Sequence, residues 1–221
     1  MKELVIFGTG DLAQVAWAYF THDSQYRVVA FTVDDAYASV DSLFDLPVVP
    51  YSTLQERFPS GSHELFVAMG FKRLNEARAE VYERCKAAGY TLATYVSSKI
   101  SHCQHWTAGD NCFILEQNVI QPFVTIGNDV VLWSGNHIGH HATIEDHCFI
   151  TSHVVISGRT RVGAYTYMGV NSAVKHGATI APHCLIGAGA LLLRDTKEGE
   201  VYAESGTRAS EIPAERAARL L

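Results

Sequence analysis

Aliphatic side chains recur at every sixth position through the second half of the chain, from Ile114 onward. A period of six fits neither an α-helix nor a single β-strand, whose periods are about 3.6 and about two residues. It is typical of hexapeptide repeats, in which three short segments form one coil of a triangular prism. The pattern therefore predicts an all-β left-handed parallel β-helix. The series runs Ile114, Ile120, Ile126, Leu132, Ile138, Ile144, Ile150, Ile156, Val162, Met168, Val174, Ile180, Ile186, Leu192.

The predicted coils stack in parallel. Three hexapeptides make a coil of eighteen residues, and strands of neighbouring coils should pair at about 4.8 Å. Residues eighteen apart in sequence should therefore lie over one another. Small residues four positions after each aliphatic residue suit the corners, and we attribute the glycines directly after the aliphatic residues to a need for backbone freedom. These glycines are Gly127, Gly139, Gly163, Gly169 and Gly187.

The N-terminal third has a different pattern, that of an α/β nucleotide-binding module. An apolar strand over 4–7 leads into Gly8-Thr9-Gly10 and then into an Ala-rich helix over 14–20. A second strand, over 27–32, ends at Asp34-Asp35, where a doubly wound fold places an acid against a ribose or base. The glycines would let the backbone approach a phosphate at the helix N-terminus. The order of these segments predicts a Rossmann-like module.

This module is short. We predict further helices over 52–58 and 75–88, and further strands over 64–68 and 91–96. Because it then ends near residue 96, it is too small for a full dinucleotide domain and favours a mononucleotide. NAD binding, or a relic that binds nothing, are the alternatives. The predicted domains are the module at 1–96, a connector at 97–107, the β-helix at 108–196 and a C-terminal tail at 197–221.

Composition and charge exclude several classes of protein. The formal net charge of −6 gives no basic surface for nucleic acid or an anionic membrane. The five cysteines are an odd number without a C-x-x-C pair, so neither a disulfide framework nor a zinc knuckle is indicated. The apolar run at 4–7 is too short for a signal peptide or a membrane span. We expect a cytoplasmic protein with reduced thiols.

Taken together, these segments resemble the sialic-acid O-acetyltransferase-like and bacterial amino-sugar N-acetyltransferase family. The resemblance rests on Val5-Ile6-Phe7-Gly8-Thr9-Gly10, on Phe31-Thr32-Val33-Asp34-Asp35, on Gly70-Phe71-Lys72-Arg73, and on His140 midway along the β-helix. It implies a homotrimer with CoA at the subunit interfaces, a histidine base, and a small domain that binds the nucleotide of a nucleotide-linked sugar. The residues that it assigns to the nucleotide sugar are Gly8, Thr9, Gly10, Asp34, Asp35 and Lys72.

His140 is the candidate general base. The residue eighteen further on is Gly158, so bare backbone should lie over the imidazole and leave room for a thioester. An imidazole can take the proton of an attacking amine or hydroxyl, and the Gly158 N–H can donate to the oxyanion. The family resemblance points to the same two positions. Family members commonly carry an acidic residue directly after this histidine, whereas this chain has His141, so Glu145 and Asp146 are the candidate orienting groups.

A zinc site is the alternative explanation for the histidines between 136 and 153. Zinc in β-helix trimers of the carbonic-anhydrase type is held by three histidines. Here His141, His147 and His153 are six residues apart and should lie at different sides of the prism. They therefore cannot converge within one subunit, and only a site between subunits remains open. We expect no metal.

The acyl donor has its own candidates. A column of mostly small residues that suits a pantetheine arm is formed by Ser152, Val170 and Ala188. The alternative is that these residues are only part of the wall of the β-helix. Arg194 and Arg208 could meet the CoA phosphates.

The predicted function is transfer of an acetyl group from acetyl-CoA to the amino group of a nucleotide-linked deoxyaminosugar, in bacterial surface-glycan (lipopolysaccharide or O-antigen) biosynthesis. No serine or cysteine lies in a nucleophile motif, which favours direct attack without a covalent enzyme intermediate. Transfer to a sugar hydroxyl and transfer of a bulkier acyl group such as hydroxybutyryl are alternatives. A zinc hydratase and a non-catalytic nucleotide-sugar-binding scaffold are the alternatives from other classes.

Overall fold

The computed structural model describes residues 1–203 and Gly206. Its N-terminal part is a five-stranded sheet of order β3-β4-β2-β1-β5, in which β4, β2, β1 and β5 run parallel and β3 pairs antiparallel with β4. The strands are β1 (Lys2–Phe7), β2 (Tyr26–Val33), β3 (Ser42–Leu43), β4 (Leu46–Pro50) and β5 (His63–Val67). The helices are α1 (Asp11–His22), α2 (Tyr51–Arg57) and α3 (Glu76–Ala87), with a 3-10 turn at Asp35–Tyr37.

The second part is a parallel β-helix with three faces, each a stack of two-residue strands in the eighteen-residue register. The first face comprises Tyr95–Val96, Phe113–Ile114, Val131–Leu132, Phe149–Ile150, Tyr167–Met168, Leu185–Ile186 and Val201–Tyr202. The second face comprises Ser101–His102, Val119–Ile120, His137–Ile138, Val155–Ile156, Ala173–Val174 and Leu191–Leu192. The third face comprises Thr107–Ala108, Thr125–Ile126, Thr143–Ile144, Arg161–Val162 and Thr179–Ile180.

The predicted aliphatic series forms the interior of the prism. Every member of the series from Ile114 to Leu192 is buried, because each strand turns its second residue inward. The first residue of each strand points outward, and the surroundings of these outward residues differ between the three faces. On the first face, Phe113, Val131 and Phe149 are buried against the N-terminal module. The module therefore covers this face, while the second and third faces stay uncovered by it.

The corners rely on left-handed backbone conformation three residues after each aliphatic residue from Ile114 to Ile186. His141 has φ +59°, Asp129 has +55° and Arg159 has +58°. The glycines that directly follow the aliphatic residues do not have positive φ, so our explanation for them was wrong. They are required because the next coil approaches too closely: a Cβ on Gly139 would lie 2.3 Å from the amide nitrogen of Gly158. The same contact with the next coil occurs at Gly127, Gly163 and Gly169.

Several predicted segments have different bounds in the structure. The strand predicted over 91–96 is reduced to a single bridge between Leu92 and Leu65, and Tyr95–Val96 already belongs to the β-helix. Two further strands, Ser101–His102 and Thr107–Ala108, lie within or at the end of the predicted connector. The β3-β4 hairpin was not predicted. Its turn residues Phe44 and Asp45 have positive φ without being glycine, and the Phe44 ring stacks on Trp17 at 3.9 Å.

A buried ion pair connects the N-terminal module to the β-helix. The Arg78 guanidinium of α3 donates from Nε to both carboxylate oxygens of Asp129 at 3.0 Å, and all side-chain atoms of this pair are buried. Arg78 also donates to the carbonyl of His147 at 2.9 Å. Asp129 accepts from the Asn111 amide at 2.7 Å and lies 2.9 Å from His147 Nδ1. Each buried charge is therefore paired, which is the condition for burying an ion pair at all.

Candidate active site

The predicted nucleotide-binding residues follow the carboxyl ends of neighbouring parallel strands. Gly8 follows β1, Asp34 follows β2, and the 68–72 segment follows β5. Because β1 lies between β2 and β5, the strand order reverses at β1. Open α/β sheets bind ligands in the crevice at such a switch point. Gly8 has φ +120°, and a Cβ there would lie 2.8 Å from the carbonyl oxygen of Ala68. Only glycine fits this turn.

The two predicted acids at this edge have partners within the module. Asp34 pairs with Arg84 of α3 at 2.5 Å, and the Arg84 guanidinium lies over the Tyr51 ring at 4.3 Å. Asp35 accepts a hydrogen bond from the Ser52 N–H at 3.1 Å. Hydrogen bonding from the side chain of Ser52, together with this N–H, lowers the pKa of the Asp35 carboxyl. Asp34 is partly exposed and Asp35 is exposed, and Asp35 accepts from the second residue of α2.

Lys72 lies in the turn between β5 and α3, which packs against the β-helix. Its neighbour Phe71 packs on Phe149 and Tyr167 of the first face, with ring centroids 5.2 and 4.8 Å apart. The turn ends in three consecutive residues with positive φ, at 73–75. Asn75 then donates to the carbonyl of Tyr165 at 2.9 Å. Such a run of left-handed, non-glycine residues is strained and persists only where surrounding contacts impose it.

His140 and Gly158 meet at the corner between the second and third faces. A Cβ on Gly158 would lie 2.8 Å from Nε2 of His140 and 3.0 to 3.1 Å from the two adjoining ring carbons. The imidazole thus turns its Nε2 edge toward the bare backbone of the next coil, as the eighteen-residue register predicts. On the far side of Gly158 lies the ring of His176, 5.8 Å from that of His140.

Hydrogen bonds hold the backbone around His140. Its N–H donates to the side-chain carbonyl of Gln121 at 2.8 Å, and its carbonyl accepts from the Arg159 N–H at 2.8 Å. Across the part of the chain that the structure describes, the Gly158 N–H has no hydrogen-bond partner. In acyl transfer, a free amide N–H can stabilise the oxyanion of a tetrahedral intermediate, and a neighbouring imidazole can take the proton.

The two acids predicted to orient His140 lie elsewhere. Glu145 and Asp146 occupy the corner between the third and first faces. Glu145 accepts from the Ala164 N–H at 2.9 Å and pairs with Arg161, and Asp146 accepts from the Asn128 N–H at 2.7 Å. In the described chain neither carboxylate contacts His140. The side chain that does is His141, whose Nδ1 lies 3.1 Å from Nδ1 of His140.

The predicted CoA column lies one face away from His140. Ser152, Val170 and Ala188 stack at the corner between the first and second faces, so the width of the second face separates them from His140. Val170 and Ala188 are exposed and Ser152 is partly so. Arg194 is exposed beyond the last strand of the second face. Arg208 lies outside the described residues.

Three of the buried cysteines are poor candidates for a nucleophilic thiolate. All five are free, and Cys103 alone is exposed. Burial raises the pKa of the Cys112 and Cys148 thiols to about 12 and that of Cys85 to about 11. Thiols with such pKa values stay protonated near neutral pH and are poor nucleophiles.

The histidines of the predicted zinc alternative diverge. His141, His147 and His153 lie at three different corners, and His147 is held by the buried Asp129. Within residues 1–203 and Gly206, no group of three or more His, Cys, Asp or Glu side chains is arranged to hold a metal ion.

Sequence reasoning missed two features of the site. It did not identify the contact between His140 and His141, because alternation along a strand would point neighbouring side chains apart. It also missed the polar column that receives α3, although Asn111, Asp129 and His147 are eighteen residues apart. Applying the eighteen-residue register to the polar residues would have found this column.

None of the helices in the described chain has the length and apolar character needed to cross a membrane.

Comparisons with known proteins agree with this architecture. The family described as bacterial transferase hexapeptide (six repeats) matches residues 124–158. The acetyltransferase domain of PglB from Neisseria gonorrhoeae superposes with a TM-score of 0.79 at 19% identity, covering 92% of this chain and 97% of that one. PerB from Caulobacter crescentus, solved with CoA and GDP-perosamine, gives a TM-score of 0.81 at 21% identity, covering 92% and 95%.

A third structure, WeeI from Acinetobacter baumannii, gives a TM-score of 0.79 at 15% identity, covering 92% of this chain and 97% of that one. A comparison with curated protein sequences found no match. Because the structural matches cover both parts of the chain, the predicted α/β module followed by a β-helix is confirmed. The chain has the fold of the hexapeptide-repeat, left-handed β-helix sugar acetyltransferases, and its predicted resemblance to that family is confirmed at the level of the fold.

Proposed function

We propose that this protein transfers an acetyl group from acetyl-CoA to the amino group of a nucleotide-linked deoxyaminosugar. The observation that carries the proposal is the pairing of His140 with Gly158. The Nε2 edge of the imidazole lies against a residue without a side chain, whose amide N–H is free. In the proposal this imidazole is the general base and this N–H is the oxyanion donor, at the corner between the second and third faces.

Structures of similar fold support this chemistry. The PglB domain has been solved in complex with acetyl coenzyme A. PerB has been solved with CoA and GDP-perosamine. We carry both ligand classes over to this chain as part of the proposal.

In the proposed reaction, the sugar amine attacks the thioester carbonyl carbon while its proton moves to Nε2 of His140. The carbonyl oxygen becomes an oxyanion and accepts a hydrogen bond from the Gly158 N–H. Collapse of this intermediate breaks the C–S bond, and the proton on His140 passes to the departing thiolate. The products are an N-acetyl sugar and CoA, and no bond to the enzyme forms. The high pKa values of Cys112 and Cys148 agree with this direct route.

The nucleotide of the acceptor is proposed to bind at the carboxyl edge of the sheet. Gly8, Thr9 and Gly10 lead into the N-terminus of α1, which suits a phosphate. Asp34 would accept a hydrogen bond from the ribose or base, and Lys72 lies on the turn from β5 to α3, which packs on the first face of the β-helix. A nucleotide held there would direct its sugar toward the prism.

The acyl donor is proposed to bind between subunits. Because the column of Ser152, Val170 and Ala188 lies one face away from His140, a pantetheine arm along it would serve the His140 of a neighbouring subunit in a homotrimer. Arg194 would then lie near the CoA phosphates. We place the reaction in the cytoplasm and in bacterial surface-glycan biosynthesis, as expected from the sequence.

The decisive experiment is a substrate panel with the full chain. UDP-, GDP- and dTDP-linked aminosugars are incubated with acetyl-CoA, and acyl products are identified by mass spectrometry. Matched sugars with a hydroxyl in place of the amine test O-transfer, and hydroxybutyryl-CoA tests a bulkier donor. We expect one aminosugar to give an N-acetyl product with release of CoA. Absence of product from every pair, together with stoichiometric zinc and CO₂ hydration, would overturn the proposal.

A further inference from the structure

The two neighbouring imidazoles at positions 140 and 141 touch through like nitrogens. Nδ1 of His140 lies 3.1 Å from Nδ1 of His141. A neutral imidazole carries a proton on one nitrogen and a lone pair on the other, so one Nδ1 must donate and the other must accept. The direction of this hydrogen bond decides which nitrogen of His140 is free to take a proton.

The surroundings of His140 select one direction. Its Nε2 edge lies against Gly158, on the side of the free amide, and must be unprotonated if it is to act as a base. The proton of neutral His140 must then sit on Nδ1 and be donated to His141. We propose that His141 is a positioning residue that holds His140 in its Nδ1–H tautomer, a role for which this chain uses a neutral imidazole instead of a carboxylate. This inference rests on the proposed function, because it assigns Nε2 as the base.

The ring of His141 is itself held in place. Its backbone is left-handed, with φ +59°, which restricts where its side chain can point. Its ring packs on Phe123, with centroids 4.8 Å apart, and Phe123 in turn stacks on His105 at 5.9 Å. The acceptor nitrogen is therefore aimed at His140 by packing from the coil below.

A neutral acceptor has a consequence for pH dependence. If His141 takes up a proton on Nδ1, it can no longer accept, and His140 must turn its lone pair to Nδ1. If His140 takes up the proton, the base is lost directly. Protonation of either imidazole therefore removes activity. Other titratable residues around the pair are His176 across Gly158, His105 behind Phe123, and Arg159, whose N–H donates to the His140 carbonyl.

Three substitutions at position 141 test the role without breaking the corner. Asparagine and aspartate tolerate left-handed backbone, and glycine prefers it, so all three variants should fold. His141→Asn supplies a neutral acceptor and should keep kcat near the wild-type value. His141→Asp supplies a charged acceptor and should move the acid limb of kcat/KM upward by about one pH unit or more. His141→Gly removes the acceptor and should lower kcat by about ten- to a hundredfold, the usual effect of losing the partner of a functional histidine.

NMR identifies the tautomer of His140 without any measurement of enzyme activity. Long-range ¹H–¹⁵N NMR correlations of the full chain, assigned with His140→Ala, should show neutral His140 protonated at Nδ1 and unprotonated at Nε2. In His141→Gly, this preference should be lost. The matched control is His183→Asn, which changes a histidine with φ +57° at another corner and should leave the pH profile unchanged.

The outcomes separate the two proposals. An active wild type whose acid limb is the same in the asparagine, aspartate and wild-type proteins would overturn the role of His141 and leave the acyl transfer standing. A wild type that is inactive on every sugar would overturn the proposed function, and the NMR tautomer would then decide the His140–His141 hydrogen bond by itself. His140 found protonated at Nε2 would overturn the inference in either case.

Discussion

The imidazole of His140 occupies the space that a side chain on Gly158 would need. A Cβ on Gly158 would lie 2.8 Å from His140 Nε2. Gly158 does not have positive φ, so an alanine there would be opposed by the imidazole and not by its own backbone.

Gly158→Ala should therefore lower kcat while leaving the fold intact. The added methyl group would push His140 away from the free amide, and we expect a loss of about 10²-fold, as for other small misplacements of a catalytic group. Steady-state kinetics and thermal melting measure the two effects. Gly61→Ala is the control, because a Cβ there meets nothing within 4 Å. Unchanged kcat in Gly158→Ala would show that the two residues do not work together.

His140→Ala should lose about 10² to 10⁴ in kcat, the range for removal of a general base. His141→Ala should lose less, about ten- to a hundredfold as for His141→Gly, because in the proposed mechanism it acts on His140 and not on the substrate. Both values come from kinetics at saturating acetyl-CoA and aminosugar. If His141→Ala were the inactive variant and His140→Ala kept near-wild-type kcat, the base would be misassigned by one residue.

Asp34→Ala should raise KM for the sugar nucleotide far more than KM for acetyl-CoA, since the proposed nucleotide site lies at the edge of the sheet. Combining it with Asp35→Ala should add a loss of stability, because Asp35 accepts from the Ser52 N–H at the start of α2. Separate titrations of the two substrates measure the KM values. Equal increases for both substrates would argue against a nucleotide at this edge.

Arg78→Met should destabilise the protein by about 3 to 5 kcal/mol, because it leaves the buried carboxylate of Asp129 without its charged partner. Chemical denaturation measures the free energy of unfolding. Glu80→Ala is a matched control on the same helix: it removes the exposed ion pair with Arg73, which should cost about 0 to 1 kcal/mol. If Arg78→Met lowered the free energy of unfolding no more than the control does, the ion pair would not stabilise the contact between the module and the β-helix.

The protein should be a trimer in solution. The second face of the single chain carries apolar side chains that are well exposed, Val119 at 38%, Val155 at 41% and Leu191 at 66%. Multi-angle light scattering should give about three times the chain mass of 24.3 kDa. Val155→Glu should weaken the assembly, whereas Thr143→Glu on the third face should not. A monomer mass for the wild type at micromolar concentration would contradict both the trimer and the proposed donor site between subunits.

The sequence by itself determined the prism, its aliphatic interior and the stacking of Gly158 over His140. It could do so because each strand pairs with the strand eighteen residues away, so that contacts between coils follow from counting. It also located the glycine turn after β1 and the acids after β2, since strand ends in a parallel sheet share one edge.

Only the tertiary structure decided which groups partner the candidate base and how the two parts of the chain join. His141 meets His140 because the left-handed corner turns both rings to one side, which strand alternation does not predict. Glu145 and Asp146 are close in sequence but lie around the next corner. Arg78 contacts Asp129, which is 51 residues away in sequence. The hexapeptide repeat relates coils of the β-helix to one another and does not predict where α3 contacts them. Side-chain direction and contacts between non-repeating elements depend on packing in three dimensions, which periodicity alone cannot express.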